Sequence, residues 1–149
     1  MNKKFFVALI LLCFFAAACL AATCQTKAAK TKAATVKKPD LVVTKVLVTR
    51  PKTKGSNKVT LTYTIRNQGN APSPATKARI NNQTTGGQSV TQATPALRAG
   101  DFFTKSVDYN LATEGNYTFK VKADYQNIAP ENSELNNENA VSFGFSRKF

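Results

Sequence analysis

Alternation of apolar and polar residues is the feature that most constrains the fold of this chain. It is clearest over residues 58–67, which read KVTLTYTIRN. The apolar members of this segment all fall on one side: Val59, Leu61, Tyr63 and Ile65. A period of two residues is that of a β-strand with one face in a core and the other in water. The pattern therefore predicts antiparallel sheets that are each covered on one face.

Similar segments recur as far as residue 145, separated by clusters of Gly, Pro and Asn. The predicted strands are 40–49, 58–67, 75–81, 89–94, 102–110, 117–125 and 139–145. Short strands with turn signals about every 8–12 residues, and no helical period, are typical of a β-sandwich. The predicted fold class is all-β: a seven-stranded antiparallel Ig-like or fibronectin-like β-sandwich.

The side-chain pattern also predicts which residues of the later strands face the core. These are Phe103, Val107, Tyr109, Tyr117, Phe119, Val121, Ala123, Tyr125, Val141, Phe143 and Phe145. Tyr117 opens its strand just after Gly115 and has two interpretations. Its hydroxyl either bonds back to nearby backbone as a tyrosine corner, or lies at the rim of the core.

The first 22 residues have the character of a signal peptide. Lys3 and Lys4 precede an apolar run that ends in small residues, and we expect cleavage between Ala18 and Thr23. Two alternatives stay open. Cys19 follows three alanines, which suits a lipoprotein, and the apolar run is long enough to be an uncleaved membrane anchor.

We predict that residues 23–38 form a flexible basic linker and that residues 39–149 form a folded domain. The linker is rich in Ala, Lys and Thr and carries no acidic residue, so it cannot bury a core. Its lysines are Lys27, Lys30, Lys32, Lys37 and Lys38. The alternative is a polybasic arm that binds an anionic polymer.

Composition excludes several kinds of active site. The chain has no histidine, and its three cysteines all lie in the first 24 residues. Imidazole catalysis and His-ligated or Cys-ligated metal are therefore excluded from the domain, as is a disulfide within it. The formal net charge is +13.

Residues 123–143 are acidic and rich in amides, unlike the rest of this basic chain. One interpretation is structural, because Asn and Asp bond their own backbone and tolerate left-handed turns. The other is a calcium site, since Ca²⁺ takes six to eight hard oxygen ligands. The candidate ligands are Asp124, Asn127, Glu131, Glu134, Asn136 and Asn137. Calcium is the only cofactor that the sequence suggests.

Four stretches resemble the CARDB family, the cell-adhesion-related domain found in bacteria. They are PDLVVTKV, VTLTYTIRNQGNAPSPAT, LRAGD and GNYTFKVKADYQNIAPENSELNNENAV. The resemblance runs from about residue 39 to 145 and implies an Ig-like sandwich of surface and secreted proteins. In that family the domain is often an accessory module, and the family label implies no defined ligand.

The function expected from the sequence is non-enzymatic. Glu131 and Glu134 are paired carboxylates, but they lie in one polar loop without an apolar wall. We expect an exported bacterial surface or periplasmic module that binds protein or polysaccharide of the cell envelope. Binding would use the rim loops 67–74, 83–88 and 127–138, or a sheet edge.

The alternative function is electrostatic. The lysine-rich arm and a basic sheet face would together bind an anionic envelope polymer. The candidate residues are Lys27, Lys30, Lys32, Lys37, Lys38, Lys58, Arg66, Lys120 and Lys122. Nucleic acid is not expected as a partner after export, and membrane contact would occur only through a lipid anchor or an uncleaved signal.

Overall fold

The fold consists of seven β-strands, shown by a computed structural model that describes residues 36–51, 53, 55–84 and 87–147. The strands are β1 (Leu41–Thr49), β2 (Lys58–Asn67), β3 (Thr76–Asn82), β4 (Ser89–Thr94), β5 (Phe102–Asn110), β6 (Gly115–Lys122) and β7 (Glu138–Phe145). The predicted all-β class is confirmed.

The strands form two antiparallel sheets. One has the order β1-β2-β5 and the other the order β4-β3-β6-β7. The fourth strand pairs with β3, whereas the constant-type Ig sandwich adds its fourth strand to the first sheet. In the second sheet β6 lies between β3 and β7, so the acidic segment that follows β6 leads directly into a neighbouring strand.

The core lies between the sheets and contains the inward residues that alternation predicts. The fully buried ones include Val59, Leu61, Tyr63 and Ile65 of β2, and Phe119 and Val121 of β6. Phe103, Val107, Tyr109, Val141 and Phe143 are half-buried against the same cluster. The inward positions of β5 are less covered because β5 is an edge strand.

The prediction for Tyr125 is wrong. Strand β6 ends at Lys122, and Asp124 adopts a left-handed conformation with φ of 35°. The regular alternation stops there, although Tyr125 N–H still donates to the carbonyl of Lys77 in β3 at 3.1 Å. Tyr125 is only half-buried, and its ring centroid lies 4.2 Å from the guanidinium carbon of Arg79.

Tyr117 forms a tyrosine corner. Its hydroxyl donates a hydrogen bond to the backbone carbonyl of Thr113 at 2.8 Å, four residues upstream. The residue is 6% exposed, and its ring lies 6.0 Å from that of Phe143. The hydroxyl therefore fixes the turn that leads from β5 into β6.

The predicted signal peptide, the lipidation candidate Cys19 and all but the last three residues of the predicted linker lie outside the described residues. The boundaries 1–22, 23–38 and 39–149 stay predictions. The part of the chain that the structure describes contains no helix of the length and apolar character that a membrane span requires.

Candidate functional site

The acidic segment crosses one end of the sandwich, which we call the acid end: the starts of β1, β5 and β7 and the ends of β2 and β6. The segment begins with a tight turn in which Asn127 N–H donates to the carbonyl of Asp124 at 2.9 Å. Asp124 and Asn127 have φ values of 35° and 52°. Asp and Asn tolerate this left-handed region better than other non-glycine residues do. Their positions explain why the chain turns here.

Two buried carboxylates fasten the segment. Asp124 is fully buried, and its Oδ2 accepts a hydrogen bond from Ala129 N–H at 2.7 Å. Glu131 is 7% exposed, and its Oε2 accepts from Leu41 N–H at 3.1 Å. Leu41 is the first residue of β1. This hydrogen bond therefore connects the acidic segment, which lies between β6 and β7 of one sheet, to the first strand of the other sheet.

Two asparagine side chains and one backbone contact add to this connection with the start of the domain. Asn136 Nδ2 donates to Asp40 Oδ1 at 2.9 Å, and Asn139 Nδ2 donates to the Val43 carbonyl at 3.0 Å. Asn132 N–H donates to the Pro39 carbonyl at 3.0 Å. Bonds between residues more than 90 positions apart make the segment a clamp that holds β1. The structural interpretation of the sequence expected a self-bonded turn before the last strand and did not include this contact with β1.

The clamp nevertheless leaves buried oxygens without partners. Among the described residues, four of the predicted calcium ligands each have one such buried side-chain oxygen: Asp124 Oδ1, Glu131 Oε1, Asn136 Oδ1 and Asn137 Oδ1. A buried oxygen without a partner costs free energy, so each one needs a compensating group. The other two candidates, Asn127 and Glu134, are exposed.

The surroundings of Glu131 disfavour its charged form. Burial raises the pKa of Glu131 to about 7. The amide of Leu41 and the side chain of Asn137 lower this pKa, while Glu134 and Asp124 raise it. The effect of burial on this pKa is larger than the effect of the hydrogen bonds, so keeping Glu131 charged in the folded protein costs free energy.

The donor set suits a hard divalent cation only if amides take part. Within the described ranges, no three side chains of His, Cys, Asp or Glu gather into a metal-binding group. Carboxylates alone therefore do not form the site. Asn136 and Asn137 supply carbonyl oxygens of the kind that Ca²⁺ accepts.

The structure does not bring the predicted basic residues onto one face. Lys58 and Arg66 lie on β2, and Lys120 and Lys122 lie on β6 in the other sheet. In both strands these residues alternate with core residues and so point outward, on opposite sides of the sandwich. The hypothesis of a single basic sheet face is wrong for these four residues.

The basic residues also have acidic partners or lie elsewhere. Lys58 pairs with Asp108 at 2.9 Å, and both Lys120 and Lys122 pair with Glu138. Lys37 is exposed, and the backbone N–H of Lys38 donates to Asn70 Oδ1 at 2.9 Å. Lys27, Lys30 and Lys32 lie outside the described residues.

Sequence reasoning missed the part that Asn67 plays at the acid end. Its Oδ1 accepts from Asp40 N–H and Gly69 N–H, each at 3.1 Å. Its Nδ2 donates to the carbonyls of Ala71 at 2.8 Å and Leu97 at 3.1 Å. An asparagine at a strand end is a common turn signal, but nothing local shows that it joins three loops.

The glycine after this asparagine permits the contact. A Cβ on Gly69 would lie 2.5 Å from the Lys38 carbonyl oxygen and 2.6 Å from the Asp40 nitrogen. Only glycine allows the loop after β2 to approach the start of the domain this closely. The NQGN motif at residues 67–70 is thus explained by packing at the acid end.

Comparison with known proteins identifies the family. The CARDB family model matches residues 38–141. A CARDB domain from Pyrococcus furiosus, solved in complex with di-metal ions, is 22% identical, with a TM-score of 0.60 over 74% of this chain and 96% of that one. A domain of a predicted cell surface protein from Methanosarcina acetivorans is 29% identical, with a TM-score of 0.51 over 73% of this chain and 93% of that one.

A more distant similarity concerns the fold alone. A β-glucosidase from Erythrobacter marinus is 9% identical, with a TM-score of 0.52 over 71% of this chain but only 15% of the enzyme. No curated protein matches the chain. The family match covers well over half of the sequence, and the similar structures share the sandwich. The chain belongs to the CARDB family.

Proposed function

We propose that the chain is an exported, non-enzymatic binding module of the cell surface or periplasm, which recognises a protein or polysaccharide through the loops of the acid end. One observation carries this proposal. The acid segment is fastened to β1 by side-chain hydrogen bonds, yet it exposes Leu135 by 97% and Ile128 by 51%. A loop that the scaffold holds in place and that exposes apolar side chains is a suitable position for recognition.

The chemistry of the loop supports binding over catalysis. Glu131 is buried and accepts a hydrogen bond from Leu41 N–H, and Asp124 accepts one from Ala129 N–H. Both carboxylates therefore position backbone. The similarity to a predicted cell surface protein supports the proposed location.

The proposal includes a Ca²⁺ ion at the clamp. The residues that fit it are Asp124, Glu131, Asn136 and Asn137, because each has a buried oxygen that a cation would satisfy. The di-metal complex of the Pyrococcus furiosus domain supports metal binding in the family. The ion would hold the recognition loop in one conformation and neutralise the buried carboxylates of Asp124 and Glu131.

A thermal melt tests the calcium site. We expect millimolar Ca²⁺ to raise the unfolding midpoint above its value in EDTA, because a ligand that binds only the native state stabilises it. Asp124→Asn should remove this response. Glu114→Gln is the matched control, since it removes a carboxylate at the other end of the sandwich. Equal midpoints of the wild-type protein in EDTA and Ca²⁺ would exclude the ion.

A capture experiment from envelope extract tests recognition. The wild-type protein is compared with Leu135→Asp and with Leu47→Asp, which changes a leucine that is 43% exposed on the outer face of β1. We expect a partner that persists at high salt, is lost with the first variant and is kept with the second. Capture that depends on residues 25–38 and disappears at high salt would instead support the lysine-rich arm.

A further inference from the structure

The end of the sandwich opposite the acid segment carries a basic pocket. This basic end is formed by the last residues of β1, β5 and β7 and the first residues of β2 and β6. The pocket has a volume of about 370 Å³. Its cationic residues are Arg50, Lys58 and Arg147, and Ser56, Ser146 and Phe145 complete most of the wall.

The described residues that line this pocket are more often cationic than acidic. Among its described lining residues, three are cationic and none carries a carboxylate. The nearby acids interact at the rim: Asp108 pairs with Lys58, and Glu114 accepts hydrogen bonds from Ser146 Oγ and Arg147 N–H. Such a lining attracts an anionic group, and a guanidinium recognises carboxylate or phosphate oxygens in pairs.

Aromatic contacts fix the position of Arg50. Its guanidinium carbon lies 5.5 Å from the ring centroids of both Phe143 and Phe145. Its Nη2 also donates to the carbonyl of Gly144. A cation held in place by its surroundings loses less entropy when it binds an anion than a mobile surface lysine does.

A second pocket lies at the same end and has different chemistry. It has a volume of about 330 Å³ and is lined mainly by amides, hydroxyls and tyrosine rings, among them Asn82, Gln88, Asn110, Thr113, Tyr109 and Tyr117. Arg147 of the basic pocket donates to the carbonyl of Ala112, which lines the second pocket, at 2.6 Å. One hydrogen bond thus connects the walls of the two pockets.

We propose that the basic end binds an acidic saccharide, with its anionic group in the pocket of Arg50 and Arg147 and its hydroxyls toward the amide pocket. Both volumes fall at the small end of the range for ligand sites and suit about one sugar unit each. The amides and hydroxyls provide the donors and acceptors that sugar hydroxyls need. An acidic peptide would also meet the cations, but it has no ring of hydroxyl groups to occupy the amide pocket. The inference does not rest on the proposed function, because it concerns the opposite end.

Calorimetric titration of the full chain tests the proposal with three probes: α-1,4-linked trigalacturonate, neutral maltotriose and triglutamate. We expect binding of trigalacturonate, and at least tenfold weaker binding of the other two. Equal affinity for maltotriose would show that the cations do not contribute to binding. Equal affinity for triglutamate would show that the site does not select a saccharide.

Charge-matched variants locate the site. Arg147→Gln should weaken trigalacturonate binding by about tenfold or more, because it removes a charged hydrogen-bond donor. Gln88→Ala should weaken it by a smaller factor through the amide pocket. Arg66→Gln is the control, since it removes the same charge from an exposed position at the acid end. A loss of affinity with Arg66→Gln as large as with Arg147→Gln would overturn the pocket in favour of net charge.

Thermal melting keeps this test independent of folding. Arg147 is exposed, so the Arg147→Gln variant should have the same melting midpoint as the wild-type protein. Arg50→Gln is the second variant, and a loss of binding in it counts only where its melting midpoint is retained. Undiminished binding by both variants contradicts the assignment.

Discussion

The two ends of the sandwich are held by different kinds of interaction. At the acid end, polar side chains with little or no exposure bond backbone amides and carbonyls, as Asn67, Asp124 and Glu131 do. At the basic end, aromatic rings pack together and against a guanidinium, as Tyr117, Phe143 and Arg50 do. Buried polar networks depend on complete pairing, whereas aromatic packing tolerates the loss of a polar atom. The acid end should therefore be the more sensitive to single substitutions.

Asn67→Ala should have the largest effect on stability. The substitution leaves the amides of Asp40 and Gly69 and the carbonyls of Ala71 and Leu97 without their side-chain partner. Because the site is buried, we expect a loss of about 3–4 kcal/mol in the free energy of unfolding, measured by urea denaturation.

Asn70→Ala provides the comparison for this prediction. Asn70 Oδ1 accepts from Lys38 N–H at an exposed site, so its loss should cost less than about 1 kcal/mol. If the two alanine variants unfold at the same urea concentration, the stability of the acid end does not depend on the buried hydrogen bonds of Asn67.

Acidification should stabilise the metal-free protein. The pKa of Glu131 rises from 4.5 to about 7 on folding, so the folded state binds a proton more tightly than the unfolded state. This contribution is fully present below pH 4.5 and is lost as the pH rises through about 7. In EDTA, the melting midpoint should therefore rise as the pH is lowered from 8 to 5. The chain has no histidine, so few other side chains titrate in this range.

Calcium sharpens the same prediction. A bound cation favours the deprotonated carboxylate, so saturating Ca²⁺ should raise the midpoint most at pH 8 and least at pH 5. Glu131→Gln should flatten the profile in EDTA. A rise on acidification that survives in this variant would assign the proton to another group.

Tyr117→Phe tests the basic end and should have a smaller effect than Asn67→Ala. It removes the hydroxyl that donates to the Thr113 carbonyl at 2.8 Å but keeps the ring against Phe143. We expect a loss of about 1 kcal/mol in urea denaturation, close to the value of one hydrogen bond. A loss as large as that of Asn67→Ala would remove the distinction between the two ends.

Alternation along the chain was enough to predict the strands and their inward faces, because it records which side chains meet the core locally. It failed at Tyr125, since the strand stops where Asp124 turns left-handed. It also failed for the basic face. Lys58 and Lys120 occur in similar alternating strands, and nothing in either segment tells which sheet the strand joins.

The sites themselves depend on contacts between distant residues. The acidic composition indicated the calcium candidates, but the bond from Leu41 N–H to Glu131 spans 90 positions and has no local signal. The basic pocket joins the end of β1, the start of β2 and the residues after β7. Arg50 and Lys58 flank the turn between β1 and β2, whereas Arg147 follows β7 and reaches them only through the packing of the two sheets.

Lys120→Gln should have the smallest effect, because it changes a sheet face between the two ends. Lys120 and Lys122 share Glu138, and both lysines are about one-third exposed. Surface ion pairs of this kind contribute little, and Lys122 remains as a second partner, so the free energy of unfolding should change by no more than about 0.5 kcal/mol. Trigalacturonate affinity should also stay within twofold of wild type. A larger loss in affinity would show that the outer face of β6 attracts the anion, and the division of the molecule into two functional ends would have to be abandoned.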